Sequence, residues 1–274
     1  MRTRRLGTWI LTAVLVVFGA IMLAPLAWLI SESFTQEKSA FYLPPSWIPR
    51  DFSTENFVAM ADLIPFGRMF LNSVIVSVTA TTGALTVSVM AAYAFSRLRF
   101  RGRDRLFALM LAALMVPMQM TVIPVFFLMR NLGLVDTLGS LILPALINVF
   151  AIFFFRQYFN SIPRELDEAA TLDGAGHGWI LFRMLVPLSG PAIAAMTILT
   201  FEATWNNYFG PLIFIRSEEQ MTLPLGLVTL QAGQSGSSVV VFAAITAVVV
   251  PALVVFLLFQ RAFIASVATA GVRG

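Results

Sequence analysis

Residues 239–260 read VVVFAAITAVVVPALVVFLLFQ, a stretch without a single charged side chain. A helix rises about 1.5 Å per residue, so about 20 consecutive apolar residues cross the hydrocarbon core of a bilayer. The stretch is long enough to do so and predicts a transmembrane helix. Other apolar runs of similar length recur along the chain. Together the predicted spans lie near residues 9–30, 70–95, 106–129, 138–158, 187–207 and 239–260.

The composition also indicates a protein that is solvated mainly by lipid. Hydrophobic residues occupy 58% of the 274 positions and the mean hydropathy is +0.85, well above the usage of soluble domains. We therefore predict an all-α polytopic membrane protein of about six transmembrane helices, in which residues 9–260 form one transmembrane domain.

Cysteine and histidine usage excludes several kinds of site. The chain has no cysteine, which removes disulfides, zinc–thiolate sites and thiol catalysis. Its one histidine, His177, cannot form a histidine-cluster metal site. We predict no metal and no cofactor bound by this chain.

The basic residues predict how the chain is oriented in the membrane. Thirteen of the 18 arginine and lysine residues fall on one side of the six predicted spans and five on the other. By the positive-inside rule the larger group is cytoplasmic, so residues 1–8 and the tail 261–274 are both predicted to lie in the cytoplasm. The group comprises Arg2, Arg4, Arg5, Arg97, Arg99, Arg101, Arg103, Arg105, Arg156, Arg164, Arg183, Arg261 and Arg273.

This distribution explains the sequence pI of about 10.1 without nucleic acid as a partner. The arginines flank apolar runs and act as topology signals. Those between Arg97 and Arg105 are also expected to contact anionic lipid head groups, so membrane lipid is a predicted partner.

Residues 161–186 are too polar to cross lipid and are predicted to form a cytoplasmic elbow. Pro163 suits the first turn of a helix, which acidic residues just after it complement through the helix dipole. The helix is expected to end near Leu172, where Gly174, Gly176 and Gly178 permit left-handed backbone angles and a sharp change of direction. Ala169 and Ala170 beside Glu168 form a small-residue face that another protein's groove can approach closely.

The spacing within this elbow resembles a known motif. Glu168-Ala169-Ala170, three residues, Gly174, nine residues, Met184, one residue and Val186-Pro187 is similar to the EAA motif of ABC importer permeases, although Met184 and Val186 replace the more usual Ile and Leu. The resemblance extends over nearly the whole chain and is closest to the maltose-G type of carbohydrate-uptake permease. Its other segments are Asn72-Ser73, residues 91–97, Trp205-Asn206, Pro211-Leu212 and residues 270–274.

The resemblance implies the ABC type I importer permease fold and a set of partners. These are a second, homologous permease subunit, two ATPase subunits that bind ATP and Mg, and an extracytoplasmic solute-binding protein, in a bacterial cytoplasmic membrane. It implies that Glu168, Ala169, Ala170 and Gly174 contact the ATPase, and Asp173 and Pro187 are candidates for the same surface. The alternative is an ordinary amphipathic loop helix.

Two further contacts are implied by the same resemblance. The cytoplasmic tail, through Gly271, Val272 and Arg273, is expected to touch the ATPase dimer. An external loop is expected to reach into the binding protein, although its composition alone suits a plain linker equally well. The loop residues are Gln231, Gly233, Gln234, Ser235 and Gly236.

Candidate substrate-pathway residues lie at the end of the fifth predicted span. Glu202 is a carboxylate within an apolar run, and such groups usually face a bundle interior or an aqueous pathway; a paired structural role is the alternative. Trp205 and Asn206 combine an aromatic face with an amide, which suits a sugar ring, but aromatic residues also anchor helices at the membrane interface.

The sequence disfavours two other functions and leaves a third as the alternative. A self-contained ATPase needs a phosphate-binding loop with a lysine, and the only lysine, Lys38, has no such context, so the chain is predicted not to be an enzyme. An intramembrane serine protease is disfavoured because Ser235 and His177 fall on opposite sides of the membrane. An ion-coupled secondary transporter remains the alternative, with Glu202 as its one intramembrane ionisable group.

Overall fold

The computed structural model of the chain describes residues 2–36, 47–49, 51–232 and 237–271. Within these residues there is no β-strand, and one isolated antiparallel bridge joins Thr35 to Phe52, which confirms the predicted all-α class. The helices are α1 (Arg2–Ser33), α2 (Glu55–Leu63), α3 (Phe66–Arg97), α4 (Arg103–Ala112), α5 (Met118–Asn131), α6 (Gly139–Ala145), α7 (Val149–Ser161), α8 (Glu165–Leu172), α9 (His177–Trp179), α10 (Val186–Leu188), α11 (Gly190–Trp205), α12 (Phe209–Phe214), α13 (Leu223–Ala232) and α14 (Ser238–Gly271).

The long apolar helices account for the predicted spans. Four are long and apolar enough to cross a membrane individually, and the number rises to six if each of two bent helix pairs is one span. The single spans are Trp9–Ser33, Phe66–Arg97, Gly139–Ser161 and Ser238–Arg261.

The two bent pairs lie at the predicted spans 106–129 and 187–207. Arg103–Met115 meets Met118–Asn131 at 105°, and His177–Leu188 meets Gly190–Trp205 at 81°. Pro117 explains the first break, because it has no N–H to donate and its ring disfavours a helical conformation of the preceding residue. Val116 is accordingly extended, with ψ of 115°.

One compact unit consists of Met1–Gly67 and Gly226–Val250. Along α1 the side chains from Trp9 to Val17 are exposed, as expected for a helix that faces lipid. The end of α1 is tied to α2 by Asn56, whose Nδ2 donates to the carbonyl oxygens of Ser33 (3.0 Å) and Thr35 (2.8 Å). Buried polar side chains therefore fix the turn that follows the first span.

The second unit, Arg68–Leu225 with Pro251–Gly274, contains the elbow and is built around α3. Small side chains on α3 and α11, including Ala92 and Ala192, are fully buried, which lets membrane helices approach closely. Larger side chains from α7, the π-helical segment Ile180–Leu185 and α11 complete the cluster. Its largest members are Tyr93, Phe155, Phe159, Leu185 and Met196.

The last candidate span ends at Arg261, but its helix does not. In the predicted cytoplasmic tail 261–274, α14 continues to Gly271. Gly271 is therefore the end of a helix, whereas Val272 and Arg273 lie outside the described residues.

Candidate coupling elbow

The first arm of the elbow is α8, and its end has a specific hydrogen-bonding pattern. The N–H of Gly174 donates to Thr171 O (3.0 Å) and the N–H of Ala175 donates to Ala170 O (2.9 Å). These two bonds form a Schellman motif, which requires a left-handed residue just after the helix. Gly174 is that residue, with φ of +85°.

The other two glycines act differently from what the sequence suggested. Gly176 has φ of −80° and ψ of 167°, an extended conformation open to any residue, and Gly178 lies within α9. Of the three predicted left-handed glycines, only Gly174 is left-handed. The sharp change of direction therefore depends on one glycine.

The second arm runs from His177 to Leu188 and contains a π-helical segment, Ile180–Leu185. Such segments are rare and occur preferentially at functional positions. The segment ends just before Val186-Pro187, where an α-helical hydrogen bond from residue 187 is impossible because proline has no N–H. Met184 lies in this segment, so the last part of the motif coincides with the irregular turn.

The motif residues divide between surface and core. Glu168, Ala169, Asp173, Gly174 and Pro187 are exposed. Ala170, in contrast, is half-buried and packs against the core cluster of the second unit. Ala170 therefore contributes to packing within the chain, whereas the other five positions are exposed at the surface.

An open groove of about 510 Å³ lies between the two arms. Beside it the side chains of Leu172 and Trp179 are 89% and 53% exposed. Large apolar groups presented next to a carboxylate are typical of a protein-binding surface. The groove is lined by Ala170, Asp173, Gly174, Ala175, Gly176, Trp179 and Met184.

The first arm is fastened to the last turn of α3 by two arginines. Arg97 Nη2 donates to Ile162 O and Arg164 Nη2 donates to Ser96 O, both at 2.9 Å. Arg97 Nε also lies 2.8 Å from Asp167 Oδ2. These three contacts join the first arm of the elbow to the end of α3.

The Arg97–Asp167 pair is close but not well aligned. Neither Arg97 Nε nor Asp167 Oδ1 has a hydrogen-bond partner of good geometry. Burial raises the pKa of the Asp167 carboxyl above its ordinary value, and the opposing charges of Arg97 and Arg164 offset only part of this effect. The loss of water around the carboxylate thus outweighs the attraction.

The second arm contacts the same turn of α3 through one side-chain pair. Tyr93 Oη lies 3.1 Å from His177 Nδ1, and the two rings meet edge to face. These roles were not predicted from the sequence. Arg97 was interpreted as a topology signal, and His177 only as a histidine too isolated to form a histidine-cluster metal site. No local pattern pairs Tyr93 with His177, since 84 residues separate them.

The candidate substrate-pathway residues do not share one environment. Trp205 is 1% exposed, stacks on Phe201 at 5.6 Å and meets Phe70 edge to face at 6.0 Å. Its ring faces are covered, so the structure corrects the idea that Trp205 stacks on a solute. Glu202 and Asn206, on the same end of α11, are exposed.

At the opposite end of α3, the pair Asn72-Ser73 holds a distant segment. Asn72 Nδ2 donates to the carbonyl oxygens of Glu219 (2.8 Å) and Met221 (2.9 Å), and Ser73 Oγ accepts from Leu223 N at 2.7 Å. These contacts fix the start of α13, which leads to Gln231. The predicted contact residues Gly233, Gln234, Ser235 and Gly236 lie outside the described residues.

A second anchor of this segment is Asp136. Its Oδ1 accepts hydrogen bonds from the N–H groups of Arg216 and Ser217, both at 2.8 Å, and from Ser217 Oγ at 2.9 Å. The backbone bonds from Ser217 and Arg216 lower the pKa of the Asp136 carboxyl. The segment after α12 is thus held by Asp136 as well as by Asn72 and Ser73.

Several apolar helices long enough to cross a membrane, together with a polar helix–turn–helix elbow, fit the class of membrane transport permeases. Residues 84–269 match the family described as binding-protein-dependent transport system inner membrane component. The chain belongs to this family, which confirms the resemblance that its elbow motif indicated. It is therefore an inner-membrane transport component.

Relatives of known function cover nearly all of the chain. It is 36% identical to the arabinooligosaccharides transport system permease protein AraQ of Halalkalibacterium halodurans, over 100% of this chain and 99% of that protein. It is 33% identical to the diacetylchitobiose uptake system permease protein NgcG of Streptomyces coelicolor, over 93% and 85% respectively. It is 32% identical to the sn-glycerol-3-phosphate transport system permease protein UgpE of Yersinia pestis, over 96% and 97%.

A solved structure has the same fold. A chain of a bacterial ABC transporter that imports the acidic polysaccharide alginate superimposes with a TM-score of 0.80 and 28% identity, over 96% of this chain and 98% of that one. The fold is that of an ABC importer permease, and the ion-coupled alternative is not favoured.

Proposed function

We propose that this chain forms half of the translocation pathway of an ATP-binding-cassette importer for a sugar or a related solute. The observation that supports this most strongly is the exposed elbow, whose Glu168, Ala169 and Gly174 keep the motif spacing on a surface next to a groove. The names of the relatives support a saccharide or a polyol phosphate as the solute class.

The proposal requires partners that supply what this chain lacks. Two ATPase subunits would bind ATP and Mg and seat α8 in a cleft, with Glu168, Asp173 and Pro187 at the contact. A second, homologous permease would complete the pathway, and an extracytoplasmic protein would deliver the solute. Both termini would be cytoplasmic, as the distribution of the arginines favours, and the tail residues Gly271, Val272 and Arg273 would approach the ATPase dimer.

Energy would reach the membrane helices through the contacts of the elbow. Closure of the ATPase subunits on ATP moves α8, and the bonds of Arg97, Arg164 and His177 to the last turn of α3 carry this movement into a spanning helix. A rigid-body rotation of the helices then switches access from outside to inside. This chain performs no covalent chemistry in that cycle.

The solute would pass along surfaces that this chain shares with its partner permease. Glu202 and Asn206 are exposed and suit hydroxyl groups of a sugar, while Trp205 supports α11 from the core. The loop from Gln231 to Gly236 would contact the binding protein during delivery.

Transport by the reconstituted importer tests this proposal. Proteoliposomes that contain both permeases and the ATPase subunits are supplied with binding protein and a radiolabelled arabinooligosaccharide, diacetylchitobiose or sn-glycerol-3-phosphate. We expect accumulation of one of these solutes only when ATP reaches the ATPase subunits. Accumulation by this chain alone, driven by a proton or sodium gradient, would contradict the proposal and favour a secondary transporter.

A further inference from the structure

The connection between α3 and α4 forms a basic pocket next to the elbow. Arginine occupies every second position from Arg97 to Arg105. Four of these side chains and Arg164 at the start of α8 surround a pocket of about 730 Å³. The lining residues are Arg99, Phe100, Arg101, Gly102, Arg103, Asp104, Arg105 and Arg164.

The positive charge of the pocket is largely uncompensated. Its five arginines face a single carboxylate, Asp104, which leaves a net charge of +4. Asp104 Oδ1 is already engaged by Arg103 Nε at 3.1 Å, and Arg156 Nη2 approaches it at 3.7 Å.

Three of the arginines have no partner of their own. Arg99, Arg101 and Arg105 are exposed, and none forms a hydrogen bond or ion pair within the part of the chain that the structure describes. Several unpaired guanidinium groups around one opening repel each other. A bound anion relieves that repulsion, so the pocket favours a ligand with concentrated negative charge.

The geometry suits a phosphate group. Guanidinium groups bind phosphate through two parallel hydrogen bonds. The pocket also includes the first turn of α4, which has no side-chain cap after Gly102, whose φ is +85°. Uncapped N–H groups at the start of a helix add to the attraction for an anion.

The surroundings of the pocket distinguish a lipid from a soluble phosphate. The pocket lies where one candidate span ends at Arg97 and the next helix of a bent pair begins at Arg103. Leu106 and Leu109 follow on α4 with side chains 51% and 70% exposed, and Phe100 is 41% exposed. A charged opening beside exposed apolar side chains matches a molecule with an anionic head and acyl chains.

We propose that this pocket binds the phosphate group of an anionic phospholipid, with the acyl chains lying against Leu106 and Leu109. A free phosphate or a soluble phosphate ester has the same charged group but has no acyl chains to contact Leu106 and Leu109. The site is separate from the elbow groove and does not depend on which solute is transported.

Lipid binding by the detergent-purified transporter complex tests the proposal. Native mass spectrometry counts bound phosphatidylglycerol and phosphatidylcholine of equal chain length for wild type, Arg101→Gln/Arg105→Gln and the control Arg130→Gln/Arg216→Gln. The control removes the same charge from two other exposed arginines. Each arginine near an anionic lipid contributes about a fivefold effect, so we expect an about 25-fold loss of phosphatidylglycerol affinity in the pocket variant and none in the control.

Two further measurements distinguish the phosphate group of a lipid from a soluble phosphate. Arg101→Lys/Arg105→Lys keeps the charge and thereby the topology signal, and we expect partial retention of phosphatidylglycerol. Millimolar inorganic phosphate is expected not to displace the lipid. The proposal is overturned if phosphate displaces it fully, if phosphatidylcholine binds equally well, or if the pocket variant and its control lose affinity to the same extent.

Discussion

Gly174 shows how much of the elbow depends on a single backbone angle. A side chain at φ of +85° is strained even though no atom lies within 4 Å of the position that a Cβ would occupy. The left-handed backbone conformation therefore explains why the motif has glycine at this position, without contact with a partner. Gly178 has equally open surroundings but is helical, so its backbone conformation does not require glycine.

A pair of substitutions separates these two glycines. Gly174→Ala is expected to destabilise the end of α8 by about 1–2 kcal/mol, whereas Gly178→Ala is expected to be neutral or slightly stabilising because alanine favours a helix. Amide hydrogen exchange of residues 165–175 in the purified complex measures the difference. Equal protection in the two variants would show that the left-handed turn is not what glycine provides.

Asp167 leads to a prediction about pH. Burial raises its folded-state pKa, so folding favours protonation of the carboxyl. The resulting contribution to the free energy of unfolding is present below the unfolded pKa and lost as pH rises through the folded pKa. Asp167→Asn, which is neutral at every pH, should therefore remove this contribution to the pH dependence of the unfolding free energy.

The measurement is the thermal unfolding of wild type and Asp167→Asn complexes between pH 4 and pH 8. We expect the wild type to lose stability relative to the variant as pH rises. If the stability difference between wild type and variant does not change with pH, burial of the Asp167 carboxyl does not raise its pKa and the account is wrong.

The end of α8 was predicted only in part from the sequence. It placed a short helix that ends near Leu172 and required a glycine after it, because helix propensity and dipole complementarity are local properties. It could not choose among Gly174, Gly176 and Gly178, since all three tolerate the same angles. The choice follows from two hydrogen bonds that only the folded turn contains.

At the scale of elements, α3 links the two functional ends of its unit. Its last turn holds the elbow through Arg97 and Tyr93, and its first turns hold the segment before α13 through Asn72 and Ser73. The sequence marked both ends through resemblance, but it could not show their partners, which lie 65 to 150 residues away along the chain. Hydrophobic periodicity describes one helix at a time and contains no information about such pairs.

Removal of the Asn72 contacts tests this role of α3. Asn72→Ala leaves the carbonyl oxygens of Glu219 and Met221 without their donor, and we expect a loss of about 1–3 kcal/mol. Ser77→Ala is the control, because Ser77 is also buried on α3 but its Oγ has no hydrogen-bond partner among the described residues.

Limited proteolysis within residues 215–223 and thermal unfolding report the two effects. The Asn72→Ala complex should be cleaved faster and unfold at a lower temperature, while Ser77→Ala should match the wild type. Comparable behaviour of both variants would mean that Asn72 does not anchor this segment.

The bent helix pairs show a second limit at the same scale. The apolar runs near 106–129 and 187–207 predict two spans, and prolines such as Pro117 are tolerated within a span as kinks. Hydropathy averages over a window and does not register a change of direction. Pro117 was visible in the sequence, but whether a proline kinks a helix or ends it depends on the tertiary contacts around it.

At the scale of the whole molecule, the class of protein was predictable and the solute was not. Composition, the spacing of apolar runs and one cytoplasmic motif lead to a binding-protein-dependent importer permease, and family membership confirms this class. Under the proposed function, solute recognition also uses surfaces of other subunits, and Glu202 and Asn206 are this chain's proposed contribution. The relatives accordingly transport chemically different solutes.

The central claim is that α8 couples this chain to an ATPase, and the rate of ATP hydrolysis stimulated by the binding protein tests it most directly. The comparison uses the reconstituted transporter with Glu168→Lys and with Glu165→Lys, since both residues are exposed in the first turn of α8 and both reversals affect the helix dipole alike. Charge reversal at a docked carboxylate costs several kcal/mol. We predict that Glu168→Lys lowers the stimulated rate at least about tenfold while the membrane fold stays intact and Glu165→Lys retains most of the stimulation; full stimulation in Glu168→Lys would contradict the account.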